Sequence, residues 1–168
     1  MSNNKKILIL NTGGTFNKIY HEVSGKLIIP QNNNQIKKLL NTAKVSNCII
    51  DGLLYKDSLE INNDDRVKIK NYILNCKYKK IIIIHGTDTI DKTAKFLSKH
   101  VKDKTVILTG SMMPYSINKV EASANLMLAF GSIVEKNKNN IYIAMHGKIK
   151  KHNKITKNRE QGVFECKN

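Results

Sequence analysis

The sequence has few of the residues that mark several common protein classes. It contains three cysteines, two prolines and no tryptophan in 168 residues. Because the cysteines are odd in number, widely spaced and without a C-x-x-C pair, we expect no disulfide framework and a reducing compartment. The longest uncharged, largely apolar stretch, residues 122–134, is well short of the roughly 20 residues that cross a bilayer. We therefore expect no membrane segment.

Targeting and metal-binding patterns are also missing. Near the N-terminus only four apolar residues, Ile7 to Leu10, precede Asn11, which is too few for the apolar region of a signal peptide. The five histidines never occur at H-x-x-x-H or at another spacing typical of metal ligands. The sequence therefore predicts a cytoplasmic protein without a metal, and its length fits one domain.

Arginine is scarce, although the formal net charge is +16. Only Arg66 and Arg159 are arginines, and the other 27 of the 29 basic residues are lysines. Lysine, asparagine and isoleucine together account for 71 residues, as an A/T-rich genome would produce in any protein. Proteins that read bases favour arginine, and RNA-binding surfaces favour exposed aromatic residues, which are only 6% here. Nucleic-acid binding is therefore disfavoured as the main role.

Short apolar runs alternate with amphipathic segments along the chain. The runs are rich in β-branched residues and are typical of strands buried on both faces. They cover residues 6–10, 45–50, 80–84, 105–108 and 141–145. Apolar residues at helical spacing lie between them, at residues 36–43, 67–74 and 90–101. A fourth helix is predicted from Asn118 to Glu135, with Asn118 and Glu121 forming a capping box.

This alternation predicts a single-domain α/β fold. We expect three α/β/α layers around a mostly parallel, doubly wound sheet of the flavodoxin-like type. Ligands of such folds bind beyond the carboxyl ends of the strands, where several loops converge. Those loops are predicted at residues 11–20, 51–64, 85–89, 109–116 and 146–159.

The first of these loops contains the sequence Thr-Gly-Gly-Thr at residues 12–15. Two glycines let the backbone turn sharply or approach a ligand closely, and the threonines provide hydroxyl groups. The loop has neither the G-x-G-x-x-G pattern of dinucleotide-binding folds nor a P-loop, so nucleotide binding is not supported. Taken alone, it is equally consistent with a tight turn between a strand and a helix.

The third loop reads His85-Gly86-Thr87-Asp88-Thr89 and follows four consecutive isoleucines. A hydroxyl and a carboxylate emerge together at a strand end and at a helix N-terminus, where an anion or oxyanion is stabilised. Alternatively, Asp88 or Thr89 serves only as the N-cap of the following helix. His85 is expected to hold the loop by hydrogen bonding.

Two further loops make the pattern specific. In order, Thr-Gly-Gly-Thr (12–15), Asp-Ser (57–58), His-Gly-Thr-Asp-Thr (85–89) and Leu-Thr-Gly-Ser-Met-Met-Pro (108–114) resemble the N-terminal domain of the bacterial-type L-asparaginase family. Asn125-Leu126 and residues 145–159 extend the resemblance, which covers about residues 6–160.

The resemblance implies hydrolysis of the side-chain amide of L-asparagine to L-aspartate and ammonia, without a metal or cofactor. Thr15 matches the family's nucleophile, whose hydroxyl needs a neighbour to remove its proton. Tyr20 resembles the tyrosine that assists this step and closes over the substrate. Thr87, Asp88 and Lys157 match the family's second catalytic group. A desolvated, partly neutral lysine could accept a proton there while the aspartate fixes its orientation.

Substrate recognition is implied by the same resemblance and by charge. Asparagine carries an α-ammonium and an α-carboxylate, so its pocket needs an anion and several hydrogen-bond donors. Asp88 would supply the anion, and Ser58 and nearby backbone N–H groups the donors. The predicted substrate-binding set is Asp57, Ser58, Glu60, Gly86, Thr87 and Asp88. Glutamine is one methylene longer and would misplace its carbonyl from the nucleophile.

The sequence departs from longer members of the family, which carry a C-terminal domain that contributes to the neighbouring subunit's active site. We expect residues 1–168 to form a single asparaginase-type catalytic domain with no second domain. Leu59 stands where a glutamine is usual and loses a side-chain hydrogen bond, and Glu121 replaces a common aspartate. A homo-oligomer is expected, because one small domain with a mobile lid shields its site poorly from water.

Two other functions are compatible with these residues. One is an ammonia-supplying amidotransferase subunit that acts with tRNA, which the high positive net charge suggests. The other is an inactive domain that senses asparagine or aspartate. Amidotransferase subunits usually carry additional domains, and the joint presence of Thr15, Thr87, Asp88 and Lys157 argues against a sensor without activity.

Overall fold

The structure is a computed structural model that describes residues 6–136 and 138–167. Within these ranges the chain forms ten strands and four α-helices. The strands are β1 (Ile7–Gly13), β2 (Ile19–His21), β3 (Lys26–Ile28), β4 (Cys48–Lys56), β5 (Lys80–Ile84), β6 (Thr105–Thr109), β7 (Ile141–Met145), β8 (Lys148–Lys151), β9 (Ile155–Asn158) and β10 (Val163–Cys166). The helices are α1 (Asn34–Thr42), α2 (Asn63–Asn75), α3 (Ile90–His100) and α4 (Lys119–Glu135).

Six of the strands form one central sheet in the order β4-β1-β5-β6-β7-β8. The first five are parallel, and β8 pairs antiparallel with β7 at the edge. The order of the five parallel strands is that of a flavodoxin-like, doubly wound sheet, as predicted. Two antiparallel hairpins, β2-β3 and β9-β10, lie outside this sheet.

Both faces of the sheet are covered by helices, as expected for parallel strands that are apolar on both sides. Leu8 and Leu10 of β1 belong to a core that includes residues of α2 and α3. Ile7 and Ile9 of the same strand belong to a second core with residues of α1 and α4. The alternation within β1 therefore joins the two layers, and the predicted three-layer α/β/α architecture is confirmed.

The strand predictions were most accurate for β5 and β7. β5 and β7 have the predicted bounds, and β1 and β6 extend beyond theirs. The prediction for residues 45–50 was wrong in extent, because β4 begins at Cys48 and continues to Lys56 alongside β1. The polar residues at 51–56 were assigned to a loop, yet their backbone pairs with β1. Residues 146–159 likewise contain β8 and β9 rather than an open loop.

The helices occupy the predicted segments, but two details were wrong. In α2 the side chains of Val67 and Leu74 are exposed, while Ile69, Ile73 and the charged Asp65 are buried. The Asp65 carboxylate is buried because it accepts a hydrogen bond from the Lys56 Nζ at 2.8 Å and belongs to a capping box with Asn62.

The predicted capping box at α4 does not form. Asn118 caps the helix by accepting a hydrogen bond from the Val120 N–H, as expected. The Glu121 carboxylate turns away and accepts hydrogen bonds from the backbone N–H groups of Met112 and Met113, at 2.8 and 3.0 Å. Glu121 therefore holds the loop after β6 instead of the start of its own helix.

The topology fixes where a ligand site can lie. The chain leaves β1 through α1 on one face of the sheet and enters β5 through α2 on the other. The carboxyl ends of β1 and β5 are therefore the point at which the winding direction reverses, and a crevice opens there in such folds. No helix within residues 6–136 and 138–167 has the length and apolar character needed to span a membrane.

Candidate active site

The loops that follow β1 and β5 touch each other at two glycines. A Cβ atom on Gly14 would lie 2.4 Å from the Gly86 backbone nitrogen, so position 14 cannot carry a side chain at this contact. Gly14 also has a φ of 76°, which favours glycine. The close approach places the Thr-Gly-Gly-Thr segment directly against the His-Gly-Thr-Asp-Thr segment.

Thr15 begins a short 3-10 turn, Thr15–Asn17, immediately after this contact. Its backbone carbonyl accepts a hydrogen bond from the Lys18 N–H at 3.1 Å, which closes the turn. The Thr15 side chain is half-buried and makes no hydrogen bond with any residue that the structure describes. A threonine hydroxyl without a structural partner is available for chemistry, in contrast to Thr12, whose hydroxyl donates to the Ile84 carbonyl at 2.7 Å.

Thr87, Asp88 and Lys157 form one hydrogen-bonded group. The Lys157 Nζ lies 2.9 Å from the Thr87 Oγ1 and 2.8 Å from the Asp88 Oδ1. The Lys157 side chain is only 10% exposed, whereas the Asp88 side chain is 36% exposed. These residues are about 70 positions apart in the sequence, and β9 brings the lysine to the loop after β5. The structure therefore assembles the predicted Thr-Asp-Lys group.

A fourth residue of this group was missed by the sequence prediction. Arg159 donates from Nη1 to the Asp88 Oδ1 at 3.2 Å and from Nη2 to the Asp88 backbone carbonyl at 2.7 Å. Lys157 and Arg159 thus share one carboxylate oxygen, and Oδ2 accepts no hydrogen bond from the part of the chain that is described. Arg159 lies in the turn directly after β9, two residues beyond Lys157.

The Asp-Ser segment lies beneath the contact between the two glycine loops. A Cβ on Gly86 would lie 2.6 Å from the Ser58 Oγ, so the serine packs directly against the β5 loop. The Ser58 backbone carbonyl accepts a hydrogen bond from the Thr89 hydroxyl at 2.7 Å. Thr89 occupies the N-cap position of α3 but uses its hydroxyl for this link rather than for capping. The predicted Ser58 and Gly86 are therefore adjacent.

Asp57 and Glu60 have contacts that stabilise the loop. The Asp57 carboxylate forms a 2.8 Å ion pair with Lys18, which follows the Thr15 turn, and accepts from the Leu59 N–H at 3.1 Å. Partial burial opposes its charge, but the Lys18 hydrogen bond and the Leu59 N–H outweigh this, so the pKa of Asp57 lies below its usual range. Glu60 accepts from the Asp57 N–H at 3.3 Å.

Tyr20 lies apart from the hydrogen-bonded group. It is in β2 of the β2-β3 hairpin and its side chain is 59% exposed. Within residues 6–136 and 138–167 its hydroxyl makes no hydrogen bond. The hairpin leaves the main sheet directly after the Thr15 turn, so Tyr20 lies on the segment that could cover the crevice.

His85 anchors the loop after β5 from below, as the sequence predicted. Its Nδ1 lies 2.8 Å from the Gly86 carbonyl, and its Nε2 lies 2.9 Å from the Thr93 Oγ1, which also accepts from the Arg66 Nε. Since a carbonyl only accepts, Nδ1 must carry the proton and Nε2 accepts from the Thr93 hydroxyl. Complete burial lowers the pKa of His85 to about 4, so the ring is neutral at neutral pH.

A second network holds the loop after β6. The His146 Nε2 lies 3.0 Å from the Glu121 Oε1, while its Nδ1 accepts from the Phe164 N–H at 3.2 Å. Glu121 in turn binds the Met112 N–H, and the Met112 Sδ lies 3.3 Å from the Thr87 Oγ1. The Thr87 hydroxyl therefore contacts both the Met112 thioether and the Lys157 Nζ.

Metal ligands do not gather at this site. No group of three His, Cys, Asp or Glu side chains suited to a metal ion occurs among residues 6–136 and 138–167. The group of Thr87, Asp88 and Lys157 supplies a hydroxyl, a carboxylate and a cationic side chain. Such a set is suited to acid–base and nucleophilic chemistry on a polar substrate.

The sequence model described as "Asparaginase, N-terminal" matches residues 6–165. This chain belongs to the asparaginase family. The match covers all four of the motif loops and the strand that carries Lys157. The prediction of a bacterial-type asparaginase fold from those motifs is therefore confirmed.

Individual relatives are similar over nearly the whole chain. L-asparaginase of Thermococcus kodakarensis is 30% identical over 164 residues, which are 94% of this chain and 49% of the relative. The solved structure of the thermostable L-asparaginase from that organism superposes with a TM-score of 0.82 at 29% identity, covering 96% of this chain and 51% of the other. The asparaginase chain thus spans about half the length of the relatives that it matches.

A more distant solved structure has the same fold. The structure described as a probable cytoplasmic L-asparaginase from Campylobacter jejuni matches with a TM-score of 0.78 and 24% identity, covering 97% of this chain and 52% of that one. The matched half of that protein therefore has the same fold as this chain.

Proposed function

We propose that this chain is an L-asparaginase that hydrolyses the side-chain amide of L-asparagine to L-aspartate and ammonia. The observation that carries the proposal is the contact of Gly14 with Gly86. It brings the loop of Thr15, whose hydroxyl has no hydrogen-bond partner among the described residues, against the loop that carries Thr87 and Asp88, the partners of Lys157. Family membership and the names of the relatives support the same activity.

In this proposal Thr15 attacks the amide carbon. Its Oγ forms a bond to that carbon as its proton passes, through a neighbouring group, to the amide nitrogen, and the carbon–nitrogen bond then breaks to release ammonia. Water hydrolyses the resulting ester, regenerates the hydroxyl and releases aspartate. A threonine hydroxyl requires such proton removal to act as a nucleophile at neutral pH. We assign Tyr20 to this first step and to closing the crevice.

Thr87, Asp88 and Lys157 are assigned to proton transfer at the other side of the substrate. The Lys157 Nζ already lies at hydrogen-bond distance from the Thr87 Oγ1, and Asp88 fixes the amino group of the lysine. A general base must reach the proton that it removes to within about 3 Å or through one water. A proton can therefore pass between Thr87 or a water and Lys157 without rearrangement of the loop.

Recognition of asparagine is assigned to the Asp88 carboxylate, to Ser58 and to Gly86. The Asp88 Oδ2 is free to bind the α-ammonium, because both cations use Oδ1. Ser58, Gly86 and the N–H groups near the start of α3 would bind the α-carboxylate, since backbone donors at a helix N-terminus favour anions. Asp57 and Glu60 shape this loop through their own hydrogen bonds.

The location and assembly of the protein are further parts of the proposal. We propose a cytoplasmic enzyme that needs no cofactor; the similar protein from Campylobacter jejuni is described as a probable cytoplasmic L-asparaginase. We also propose a homo-oligomer of single catalytic domains. Several apolar side chains around the crevice are exposed and would be covered in such an assembly: Tyr20, Leu27, Leu59, Met113, Ile117 and Val120.

The direct test is release of ammonia and aspartate by the purified protein from L-asparagine, run in parallel with L-glutamine. We expect turnover of asparagine and much slower turnover of glutamine, because the longer side chain misplaces its carbonyl. Binding of asparagine without release of ammonia would overturn the proposal and favour the sensing function. Absence of both binding and release would remove asparagine as the substrate.

A further inference from the structure

A second polar cleft lies on the α1 and α4 face of the sheet. Its volume is about 540 Å³, and it opens between the C-terminal half of α1 and the segment that leads into α4. The lining residues are Gln35, Lys38, Asn41, Thr42, Tyr115, Ser116 and Lys119. None of them belongs to the proposed active site, and the hydrolytic chemistry has no use for the cleft.

Two buried polar side chains form the inner wall of this cleft. Gln35 is 8% exposed and Tyr115 is 4% exposed. Neither the Gln35 amide nor the Tyr115 hydroxyl makes a hydrogen bond with any residue described in the structure. Among the described residues, Asn17 Oδ1 is the one fully enclosed polar atom without a partner. The polar atoms of Gln35 and Tyr115 therefore remain accessible from the cleft.

The rim of the cleft is positively charged. Lys38 and Lys119 both line it, and neither ammonium has a carboxylate within 4.0 Å among residues 6–136 and 138–167. The lysine ion pairs among the described residues involve five other lysines: Lys18, Lys56, Lys68, Lys79 and Lys157. Lys119 is also the first residue of α4, whose N-terminus favours negative charge. Two cations without a carboxylate partner thus line the same cleft as two polar groups without a hydrogen-bond partner.

We propose that this cleft is a binding site for a small anion that carries a carboxylate or phosphate group. The lysines would supply the charge, and the Gln35 amide and Tyr115 hydroxyl would donate hydrogen bonds to the anion from the inner wall. Donors of this kind, together with ammonium groups, are typical of carboxylate and phosphate sites. The proposal is independent of amide hydrolysis, because it concerns different residues on another part of the molecule.

An anion bound in the cleft would contact Tyr115 and Ser116, which in turn contact the Thr15 loop. The Tyr115 ring stacks on the Phe16 ring with 6.1 Å between ring centroids, and the Tyr115 backbone N–H donates to the Phe16 carbonyl at 3.3 Å. The Ser116 hydroxyl donates to the Lys18 carbonyl at 2.8 Å. Signals from Phe16 and Lys18 in NMR spectra are therefore expected to respond when the cleft is filled.

The site can be tested by titrating the full chain with inorganic phosphate and, separately, with malonate. Binding is measured by calorimetry and by NMR at constant ionic strength. We expect saturable binding of at least one anion, and the preferred anion identifies the head group. In Lys38→Gln/Lys119→Gln the dissociation constant should rise by about tenfold or more, because two charge-assisted contacts are lost.

A matched variant separates a built site from general attraction to a cationic protein. Lys37→Gln/Lys70→Gln removes the same charge from two lysines that do not line the cleft, and it should change the dissociation constant less than about twofold, since exposed charges are screened. Equal weakening in both double variants would overturn the proposal. Failure of both phosphate and malonate to bind saturably would overturn it as well.

Gln35→Leu tests the inner wall without changing net charge. It removes the buried amide, so anion binding should weaken about fivefold, while the melting temperature of the unliganded protein should not fall. Gln35→Glu places a negative charge at the same position and should abolish binding. Unchanged affinity in both variants, with the fold intact by circular dichroism, would contradict the role of Gln35.

Discussion

The Asp88 carboxylate joins the residues on which the proposed chemistry depends. Its Oδ1 accepts hydrogen bonds from both Lys157 and Arg159, and its backbone carbonyl accepts a further one from Arg159. Lys157 also donates a hydrogen bond to the Thr87 hydroxyl. Among the described residues, Arg159 makes no hydrogen bond to that hydroxyl. The two cations on one oxygen therefore have different expected roles, with Lys157 in proton transfer and Arg159 in orienting the carboxylate.

Substitution of each cation tests this difference. Lys157→Met should lower kcat by roughly 10³-fold, because it removes the group that accepts a proton. Arg159→Gln should mainly raise KM, by about two- to fivefold, because its side chain is 58% exposed and its ion pair is screened by water. Steady-state kinetics with asparagine measure both effects. A loss below tenfold for Lys157→Met would exclude it as the base.

Among single residues, His85 makes the free energy of unfolding depend on pH. Its pKa is about 4 in the folded protein, against 6.5 when unfolded. Between these values the unfolded chain binds more protons, so the free energy of unfolding falls as the pH drops from 6.5 to 4, by at most about 3 kcal/mol. Urea unfolding across this range, compared with His85→Gln, isolates the effect. The glutamine variant keeps a donor and an acceptor and should lose this dependence.

The comparison with the variant is needed because His152 contributes in the same direction. Partial burial lowers its pKa, and nearby lysines add to the effect. The contribution of His152 is common to both proteins and cancels in the difference. Identical pH dependence of the wild type and His85→Gln would contradict a neutral, hydrogen-bonded His85.

At the scale of elements, the contact between loops depends on glycine. A Cβ on Gly86 would lie 2.6 Å from Ser58 Cβ and Oγ, so Gly86→Ala must push the β5 loop away from the Asp-Ser segment. We expect kcat/KM to fall by about 10²-fold, because a displacement near 1 Å at a site is costly. Kinetics and a urea unfolding curve should be measured together.

Gly131→Ala is the matched control. Gly131 lies within α4, and a Cβ there would have no atom within 4 Å. This change should leave kcat/KM unaltered and stabilise the protein by about 0.5–1 kcal/mol, because alanine is the better helix former. Equal activity of the two alanine variants would show that the tight approach at Gly86 is not needed.

The elements themselves were largely predictable. Four consecutive isoleucines gave the bounds of β5, and the stripe at residues 36–43 gave α1, because burial on one or two faces leaves a periodic apolar pattern. β4 was misjudged since Asp51, Gly52 and Lys56 look like turn residues, and only pairing with β1 keeps them extended. In α2 the pattern was misleading, because paired charges rather than apolar residues occupy part of the buried face.

The site was predictable only where a motif marked it. Thr15, Ser58, Thr87, Asp88 and Lys157 lie in loops that resemble family motifs, and the fold brings four of their loops into contact. Contacts made by residues outside these motifs were not predicted. Arg159 is 71 residues from Asp88, and Arg66 is 27 from Thr93, so neither contact leaves a local signal in the sequence.

At the scale of the whole molecule, the exposed apolar side chains near the crevice predict self-association. Ile117 is 56% exposed and Val120 is 76% exposed, and both lie at the start of α4. Sedimentation velocity should show a mass above that of a single chain. Ile117→Lys/Val120→Lys should shift the protein to monomers, because charges at the centre of an interface oppose association.

Val134→Lys is the control for this experiment. Val134 lies near the opposite end of α4 and is 47% exposed, so a lysine there adds similar polarity away from the crevice. It should leave the mass unchanged. A monomer in the unmodified protein would contradict the proposed assembly, and the activity would then have to come from a single crevice that is open to solvent.

The central claim is that the Thr15 hydroxyl performs the first step of asparagine hydrolysis. Ammonia release from L-asparagine, measured with the wild type, Thr15→Ala and Thr15→Ser, tests it most directly. We expect no detectable turnover in the alanine variant, partial turnover in the serine variant, and the same melting temperature for all three within about 2 °C, since a half-exposed hydroxyl contributes little to stability. Turnover by Thr15→Ala at the wild-type rate would contradict the account.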